Sequence, residues 1–250
     1  MAASEPRGSG LGGMKGGLLA GALGLLVGGG AVALWSGAAG GNEAGTGEAI
    51  RAYLLEHPEV IPEAMERLRA RESGKVVEAH RAAFETPFAG AWAGAEKGDV
   101  VLVTFFDYAC GYCRKSNEDI ERLLAEDPKL KVVWREWPVL GAPSEAAAEV
   151  SLAAAQAGRY REFYRELFAL GRPTEQAVAQ AQRAAGVPDQ AVAAVRGSPA
   201  AREELGRNME LARAIEASGT PTFVVGDQVL QGAVGYDALK QAIAEARSRS

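Results

Sequence analysis

The stretch "VVLVTFFDYACGYCRKSNEDIERLL", residues 100–124, decides the fold class of this chain. It opens with a β-branched and aromatic run that is too short for an ordinary helix and predicts a buried strand. Residues 116–125 have the apolar spacing of a helix that packs along one face. A second β-branched run, "LKVVWRE", follows at residues 130–136. Strand, helix and strand form the βαβ unit of a parallel sheet, so the sequence predicts an α/β fold.

The rest of the chain predicts a helical block followed by a hairpin. Residues 144–217 read as helices separated by glycine and proline breaks. "TFVV" and "QVLQ" then flank Gly226 and Asp227, which is the pattern of a β-hairpin. A last helix is predicted over residues 236–247. The expected order is therefore β-α-β, a group of helices, and β-β-α.

The N-terminus carries an apolar segment with a basic flank. Arg7 and Lys15 precede an uncharged stretch at residues 16–41. Small residues at positions 36–39 favour cleavage as a secretory signal, whereas the apolar run of residues 18–35 exceeds the roughly 7–15 residues of a signal core and favours a membrane anchor. Either outcome places the remainder of the chain outside the cytoplasm.

A helical extension is predicted between this segment and the α/β region. Residues 40–48 read as a flexible polar linker, and two short helices follow, with a break at His57 before a proline. Ile61, Met65 and Leu68 form an apolar stripe on the second helix. The stripe predicts either packing against the main domain or a stalk for self-association.

The composition limits the class of partner. The chain has 250 residues, 48% of them hydrophobic, and a formal net charge of −5. This length is sufficient for one domain of ordinary size with extensions. An acidic chain is not expected to bind nucleic acid, because phosphate binding requires a basic surface.

The chain has two cysteines, Cys110 and Cys113, predicted at the point where a strand ends and a helix begins. A helix N-terminus stabilises an anion, and the thiolate is the reactive form of cysteine. We therefore expect a lowered pKa and surface access for Cys110, with a more buried Cys113 that resolves a mixed disulfide. Gly111 leaves room beside the first sulfur for an approaching backbone.

The cysteine pair could be part of a metal site, a structural disulfide or a redox centre. A structural zinc site usually takes four ligands, and the two histidines, His57 and His80, both lie in the extension, so no metal site is expected. A disulfide that closes so short a loop would stabilise the fold weakly. A redox-active pair in an exported protein is the favoured interpretation.

A second motif supports the redox interpretation. "SGTPTFVVGD", residues 218–227, places Pro221 at the start of a predicted strand. Proline is disfavoured inside a central strand because it has no N–H to donate. A cis bond after Thr220 would leave backbone groups of that residue free to pair with an extended peptide, although base rates favour an ordinary trans proline.

Taken together, "FFDYACGYC", "WPVLGAPSEAAAEVSLA" and "GTPTFVVGD" resemble the DsbA family of exported thiol-disulfide oxidoreductases. The resemblance covers residues 86–250 and is nearest to the Com1-like and ScsC-like branch, whose helical extension residues 48–72 also resemble. It implies a thioredoxin-like fold with an inserted helical subdomain at about residues 144–217. The expected divisions are residues 1–41 for the apolar segment, 42–85 for the extension and 86–250 for the thioredoxin domain.

The resemblance also implies roles for residues and partners. Cys110 is the attacking thiol, Cys113 resolves, and Thr220 and Pro221 contact substrate. By their position beside the thiols, Gly111 and Tyr112 are further candidates for substrate contact, although simple packing fits Tyr112 equally well; no cofactor or metal is expected. The implied partners are unfolded or misoxidised exported proteins and a membrane redox partner that resets the pair, with a homo-oligomer through residues 48–72. The implied location is the periplasm, with residues 16–35 either anchored in the inner membrane or cleaved.

Two positions depart from the family pattern. The dipeptide between the cysteines is Gly-Tyr rather than Pro-His, which predicts a less extreme thiol pKa and a less oxidising centre. Thr104 stands where many relatives carry an acid, so the proton would be relayed by Asp107, by Glu118 or by water, and an ordinary helix-cap or loop acid is the slightly favoured interpretation of Asp107. Oxidase, reductase and isomerase roles stay open, and so does a copper- or peptide-binding module without turnover.

Overall fold

The structure, a computed structural model, describes residues 43–249, with side chains from residue 45 onward. The apolar segment predicted to be a signal or an anchor, residues 16–35, lies outside this range. Between residues 43 and 249, no helix combines the length and the apolar character needed to cross a membrane.

The described residues divide into two compact units, residues 43–64 and residues 65–249. Helix α1 spans Glu43–Glu56, and α2 spans Val60–Ala79, so the break predicted at His57 is confirmed. The prediction of a flexible linker is wrong over residues 43–48, which are helical. Gly45 and Gly47 each cost about 1 kcal/mol in a helix, but propensity is a weak prior and the strong helix formers that follow extend the helix toward its N-terminus.

The second unit contains a five-stranded sheet with the order β1-β3-β2-β4-β5. The parallel pair β2 and β3 and the antiparallel hairpin of β4 and β5 confirm the predicted βαβ unit and hairpin. Strand β1 was not predicted, because three residues are too few for a pattern to show, and it pairs with β3 at the sheet edge. The strands are β1 Trp92–Gly94, β2 Val100–Phe106, β3 Leu130–Glu136, β4 Thr222–Val225 and β5 Gln228–Gln231.

Helices cover both faces of the sheet. The predicted helical block is present between β3 and β4, and the last helix closes the chain as expected. The helices are α3 Arg81–Glu85, α4 Gly111–Glu126, α5 Ala142–Gln156, α6 Tyr160–Leu170, α7 Glu175–Ala184, α8 Asp189–Val195, α9 Pro199–Ala214 and α10 Tyr236–Arg249.

Side chains that alternate along the strands form two apolar clusters. The larger one contains Phe106, Trp134, both cysteines and much of the helical block. The smaller one contains Phe105 together with Phe84 and with residues of α9. The cysteines therefore belong to the core that the helical block shares with the sheet.

Candidate active site

The two cysteines lie where β2 passes into α4. Cys110 is the N-cap of α4, and its Sγ accepts a hydrogen bond from the backbone N–H of Cys113 at 3.3 Å. The N–H of Cys110 donates to the carbonyl oxygen of Asp107 at 3.0 Å, which closes the turn between strand and helix. The sulfur of Cys110 thus occupies a position normally filled by a capping oxygen.

This position changes the acidity of Cys110. Hydrogen bonding from the Cys113 side chain, opposed by burial, lowers the pKa of the Cys110 thiol to about 5, with help from Thr220 and from the backbone N–H groups of Cys113 and Tyr112. The pKa shift follows from donors that favour the charged form at a helix N-terminus. At neutral pH, Cys110 is therefore a thiolate.

Cys113 has the opposite character. Its side chain is buried, with 2% of the residue exposed. Burial first, and then the adjacent Cys110 sulfur, raise the pKa of the Cys113 thiol far above its ordinary value. One thiolate and one protonated thiol in contact are the arrangement that thiol-disulfide exchange requires.

The structure brings the predicted proline motif to the same site. The Thr220–Pro221 peptide bond is cis. The carbonyl oxygen of Thr220 lies 3.2 Å from Cys110 Sγ, although the two residues are far apart in sequence. Strand β4, which follows, pairs with β2 and holds the motif beside the cysteine turn.

Cys110 is itself buried, with 6% of the residue exposed, so the surface access expected for it is wrong, and the exposed side chains belong to neighbouring residues. Tyr112 is 70% exposed, and a Cβ at Gly111 would meet no atom within 4 Å. Val139 and Leu140 are 45% and 53% exposed in the loop after β3. Sequence reasoning did not select these two residues, although a pair of apolar residues between a proline and a glycine was a usable signal.

The two acids proposed as relays occupy different environments. Asp107 is buried, and its carboxylate accepts hydrogen bonds from backbone N–H groups and from Ser144. Glu118 is exposed on α4, beyond the turn that carries Cys113. Thr104 is buried in β2 opposite Trp134. A relay role for either acid stays a prediction.

One buried acid was missed by sequence reasoning. Glu136, at the end of β3, accepts hydrogen bonds from the hydroxyls of Ser151 at 2.5 Å and Tyr160 at 3.2 Å. Ser151 also shares a 2.7 Å hydrogen bond with Tyr108, two residues before Cys110. Burial raises the pKa of the Glu136 carboxyl well above its usual value.

In the part of the chain that the structure describes, no group of three or more histidine, cysteine or acidic side chains is placed to hold a metal ion. The site presents two soft ligands, the free thiols of Cys110 and Cys113. Its groups are therefore suited to chemistry at sulfur.

A thiolate that caps a helix, a buried partner thiol and an adjacent cis-proline define the site of a thioredoxin-fold protein that exchanges thiols and disulfides. The model of the DSBA-like thioredoxin domain matches residues 101–244, and the chain belongs to this family of thiol-disulfide oxidoreductases. The model of the copper resistance protein ScsC N-terminal domain matches residues 47–73, within the helical extension.

Solved structures agree with this assignment. The chain is 35% identical to a thioredoxin-like oxidoreductase from Silicibacter pomeroyi, with a TM-score of 0.65 over 68% of this chain and 99% of that one. It is 27% identical to a periplasmic thioredoxin-like protein from Salmonella enterica serovar Typhimurium, with a TM-score of 0.61 over 67% of this chain and 95% of that one.

One curated relative is much longer. The chain is 29% identical over 158 residues, 61% of its length, to the Na(+)/H(+) antiporter NhaA 3 of Salinispora tropica, of which the match covers 24%. The chain thus spans about a quarter of the curated relative that it matches.

Proposed function

We propose that this protein is an exported thiol-disulfide oxidoreductase that acts on other proteins through Cys110 and Cys113. The observation that supports it most strongly is the Cys110 sulfur at the start of α4, where it accepts from the Cys113 N–H and has a pKa lowered to about 5. Such a sulfur is a nucleophile at neutral pH.

The proposed reaction has two exchange steps. The Cys110 thiolate attacks one sulfur of a substrate disulfide, a mixed disulfide forms, and the other substrate sulfur leaves as a thiolate that takes up a proton. Cys113 then loses its proton and attacks Cys110 Sγ, which releases the second substrate thiolate and forms the Cys110–Cys113 disulfide. Two electrons pass from the protein to the substrate, and the reverse sequence oxidises a substrate dithiol.

The residues around the pair support a role in holding an extended peptide. The Thr220 carbonyl faces the Cys110 sulfur, and Pro221 precedes β4. Gly111 leaves space for an approaching backbone, and Tyr112 offers an exposed ring. We infer that the substrate strand lies between these two segments, with its cysteine against Cys110.

The reduction potential of the cysteine pair depends on how stable the Cys110 thiolate is. A stabilised thiolate stabilises the reduced protein, so a lower pKa makes a stronger oxidant. The Cys110 pKa of about 5 lies between the values of about 7 for thioredoxin and about 3.5 for DsbA. We infer a reduction potential between roughly −270 and roughly −120 mV. Equilibration with glutathione buffers would measure it, and a value at either end would refute the intermediate assignment.

The location is inferred from the N-terminal sequence and from a relative. Residues 16–35 are an apolar run behind basic residues, and a similar structure is that of a periplasmic protein. We infer that the domain acts in the periplasm, either anchored or released by cleavage, and that a membrane protein resets the cysteines. Cell fractionation of the full chain would decide between an anchored and a released form.

Self-association through residues 48–72 is part of the proposal. The apolar stripe is exposed: Ile61, Met65 and Leu68 are each 50% exposed. Such exposure is expected of a surface that a second copy of the chain would cover. We expect Ile61→Lys with Leu68→Lys to lower the assembly size in light scattering. Glu66→Lys, an exposed change on the same helix, is the matched control. A monomeric wild-type protein would exclude the stalk.

Two cysteine variants test the activity itself. Cys110→Ser should abolish reduction of insulin and refolding of a scrambled protein, because it removes the nucleophile. Cys113→Ser should still attack but not resolve, so it should accumulate a mixed disulfide that non-reducing electrophoresis detects. Unchanged activity in Cys110→Ser would refute the enzyme, and tight copper binding by an inactive wild type would favour the binding module instead.

A further inference from the structure

Asp107 makes an unusual number of contacts for a loop acid. It is the first residue after β2, it is 1% exposed, and both oxygens of its carboxylate are used. Oδ1 accepts from Ala109 N–H at 2.7 Å and from the Ser144 hydroxyl at 2.6 Å. Oδ2 accepts from Val139 N–H at 2.8 Å and from Leu140 N–H at 2.9 Å. Four donors therefore converge on one side chain.

These donors come from two separate parts of the chain. Ala109 belongs to the turn that ends at Cys110, whose own N–H donates to the Asp107 carbonyl. Val139 and Leu140 lie in the loop after β3, and Ser144 lies in the first turn of α5. One carboxylate thus joins the cysteine turn to the loop that begins the helical block.

The joined loop exposes apolar side chains. Val139 and Leu140 are each about half exposed, while the N–H groups of the same residues donate to Asp107. Gly141, with φ of 106°, then turns the chain into α5. A loop with a fixed backbone and exposed apolar side chains loses little entropy on binding, which favours recognition of an apolar ligand.

The contacts of Asp107 are those of an acceptor that organises backbone. Its four partners are all donors, and two of them are N–H groups of consecutive residues. Buried N–H groups left without an acceptor cost roughly 1–3 kcal/mol each, so the loop depends on this carboxylate. This pattern accounts for the burial of Asp107 without any transfer of a proton.

We propose that Asp107 is a positioning residue, which fixes Val139 and Leu140 in register with Cys110 so that they engage apolar side chains flanking the cysteine of an unfolded polypeptide substrate. The proposal rests on the function proposed above. It assigns the selectivity for polypeptides over small disulfides to this loop, and the reactivity of sulfur to the helix start.

The test compares two substrates in Asp107→Asn. This variant keeps the size of the side chain but turns an acceptor oxygen into an amide donor that faces N–H groups. With a small substrate, glutathione disulfide, the rate should change less than about twofold, and the Cys110 pKa should stay in place. With an unfolded protein that carries disulfides as substrate for the same reduced enzyme, kcat/KM should fall roughly tenfold, mainly through KM.

A second variant tests the loop without touching a buried group. Val139→Ser with Leu140→Ser alters exposed side chains, so folding should be preserved, and the same selective loss is expected. Adding Asp107→Asn to it should cause little further loss, because both changes act through one loop. Asp127→Asn is the matched control: it removes a loop acid that accepts from Lys129 N–H at the other end of α4, and the substrate ratio should not change.

Several outcomes would overturn the proposal. An equal loss with both substrates in Asp107→Asn, with a shifted Cys110 pKa, would place its role at the thiol. An unchanged rate for the protein substrate in the serine double variant would show that the loop is not used. A wild type that reacts with glutathione disulfide but not with the protein would refute the proposal alone, whereas no exchange with either substrate would refute the proposed function as well.

Discussion

Arg135 and Glu136 are consecutive residues of β3 that reach opposite faces of the sheet, and both are buried. Arg135 meets a carboxylate, with Nη1 2.9 Å from Glu204 Oε1. Glu136 meets hydroxyl groups, those of Ser151 and Tyr160. The end of β3 therefore buries Arg135 beside a carboxylate of opposite charge and buries Glu136 among hydroxyl groups. These are two different ways to offset the free-energy cost of burying an ionisable group.

On the Arg135 side, the guanidinium group is paired with a carboxylate and makes several further hydrogen bonds. It donates to Glu204 and Asn208 and to backbone carbonyl oxygens at the end of α3, those of Ala83, Phe84 and Thr86. A cation at the carbonyl end of a helix satisfies groups that the helix leaves unpaired. Burial lowers the pKa of this guanidinium, and Glu204 opposes the shift.

On the Glu136 side, burial favours the protonated, uncharged carboxyl over an ion pair. Burial raises the pKa of Glu136 well above 4.5, and the hydrogen bonds from Ser151 and Tyr160 offset only part of the shift. Burial of the ring, and then the same acid, raise the pKa of the Tyr160 hydroxyl. This side faces the core that contains the cysteines, and burial there favours the neutral form of the acid.

The largest expected effect comes from breaking the ion pair on the Arg135 side. Glu204→Ala leaves a buried guanidinium without its carboxylate, and the free energy of unfolding should fall by about 3–5 kcal/mol. Urea denaturation of the reduced protein measures it. Glu203→Ala is the control, since this exposed residue pairs with Arg207 at the surface and should cost less than about 1 kcal/mol. Equal losses in the two variants would mean that the Arg135 pair is no stronger than a surface pair.

Glu136→Gln should mainly change how the free energy of unfolding depends on pH. A carboxyl whose pKa is raised on folding stabilises the fold below its unfolded-state pKa of 4.5, and this contribution is lost as the pH rises toward the folded-state pKa. The wild type should therefore lose stability between pH 5 and pH 8 relative to the variant, by more than about 1.4 kcal/mol, the equivalent of one pKa unit. Parallel stability curves for the two proteins would contradict a neutral buried acid.

The sequence predicts what depends on local pattern. The β-branched runs of β2 and β3, the hairpin around Gly226 and the cysteines at the start of α4 are visible in short windows, and the structure contains all of them. What was missed depends on contacts between distant residues: Asp107 meets a loop more than thirty residues away, and Glu136 meets hydroxyls of two later helices. The identity of one residue does not predict such partners, because they are brought together only when the strands and helices pack. The sequence shows that an acid is absent at Thr104, but it does not show that Glu136 on the neighbouring strand is buried.

The smallest expected effect separates the two hydroxyls that Glu136 accepts from. Tyr160→Phe removes the longer of the two hydrogen bonds, 3.2 Å, and should cost about 1 kcal/mol near pH 5. Because that bond lowers the pKa of Glu136, its loss raises this pKa further, and the cost should become larger once the pH passes the folded-state pKa of Glu136 in the wild type. Urea unfolding at a series of pH values upward from pH 5 measures both parts. A cost that does not change with pH would assign the Tyr160 hydroxyl to packing alone, and the acid would then depend on Ser151.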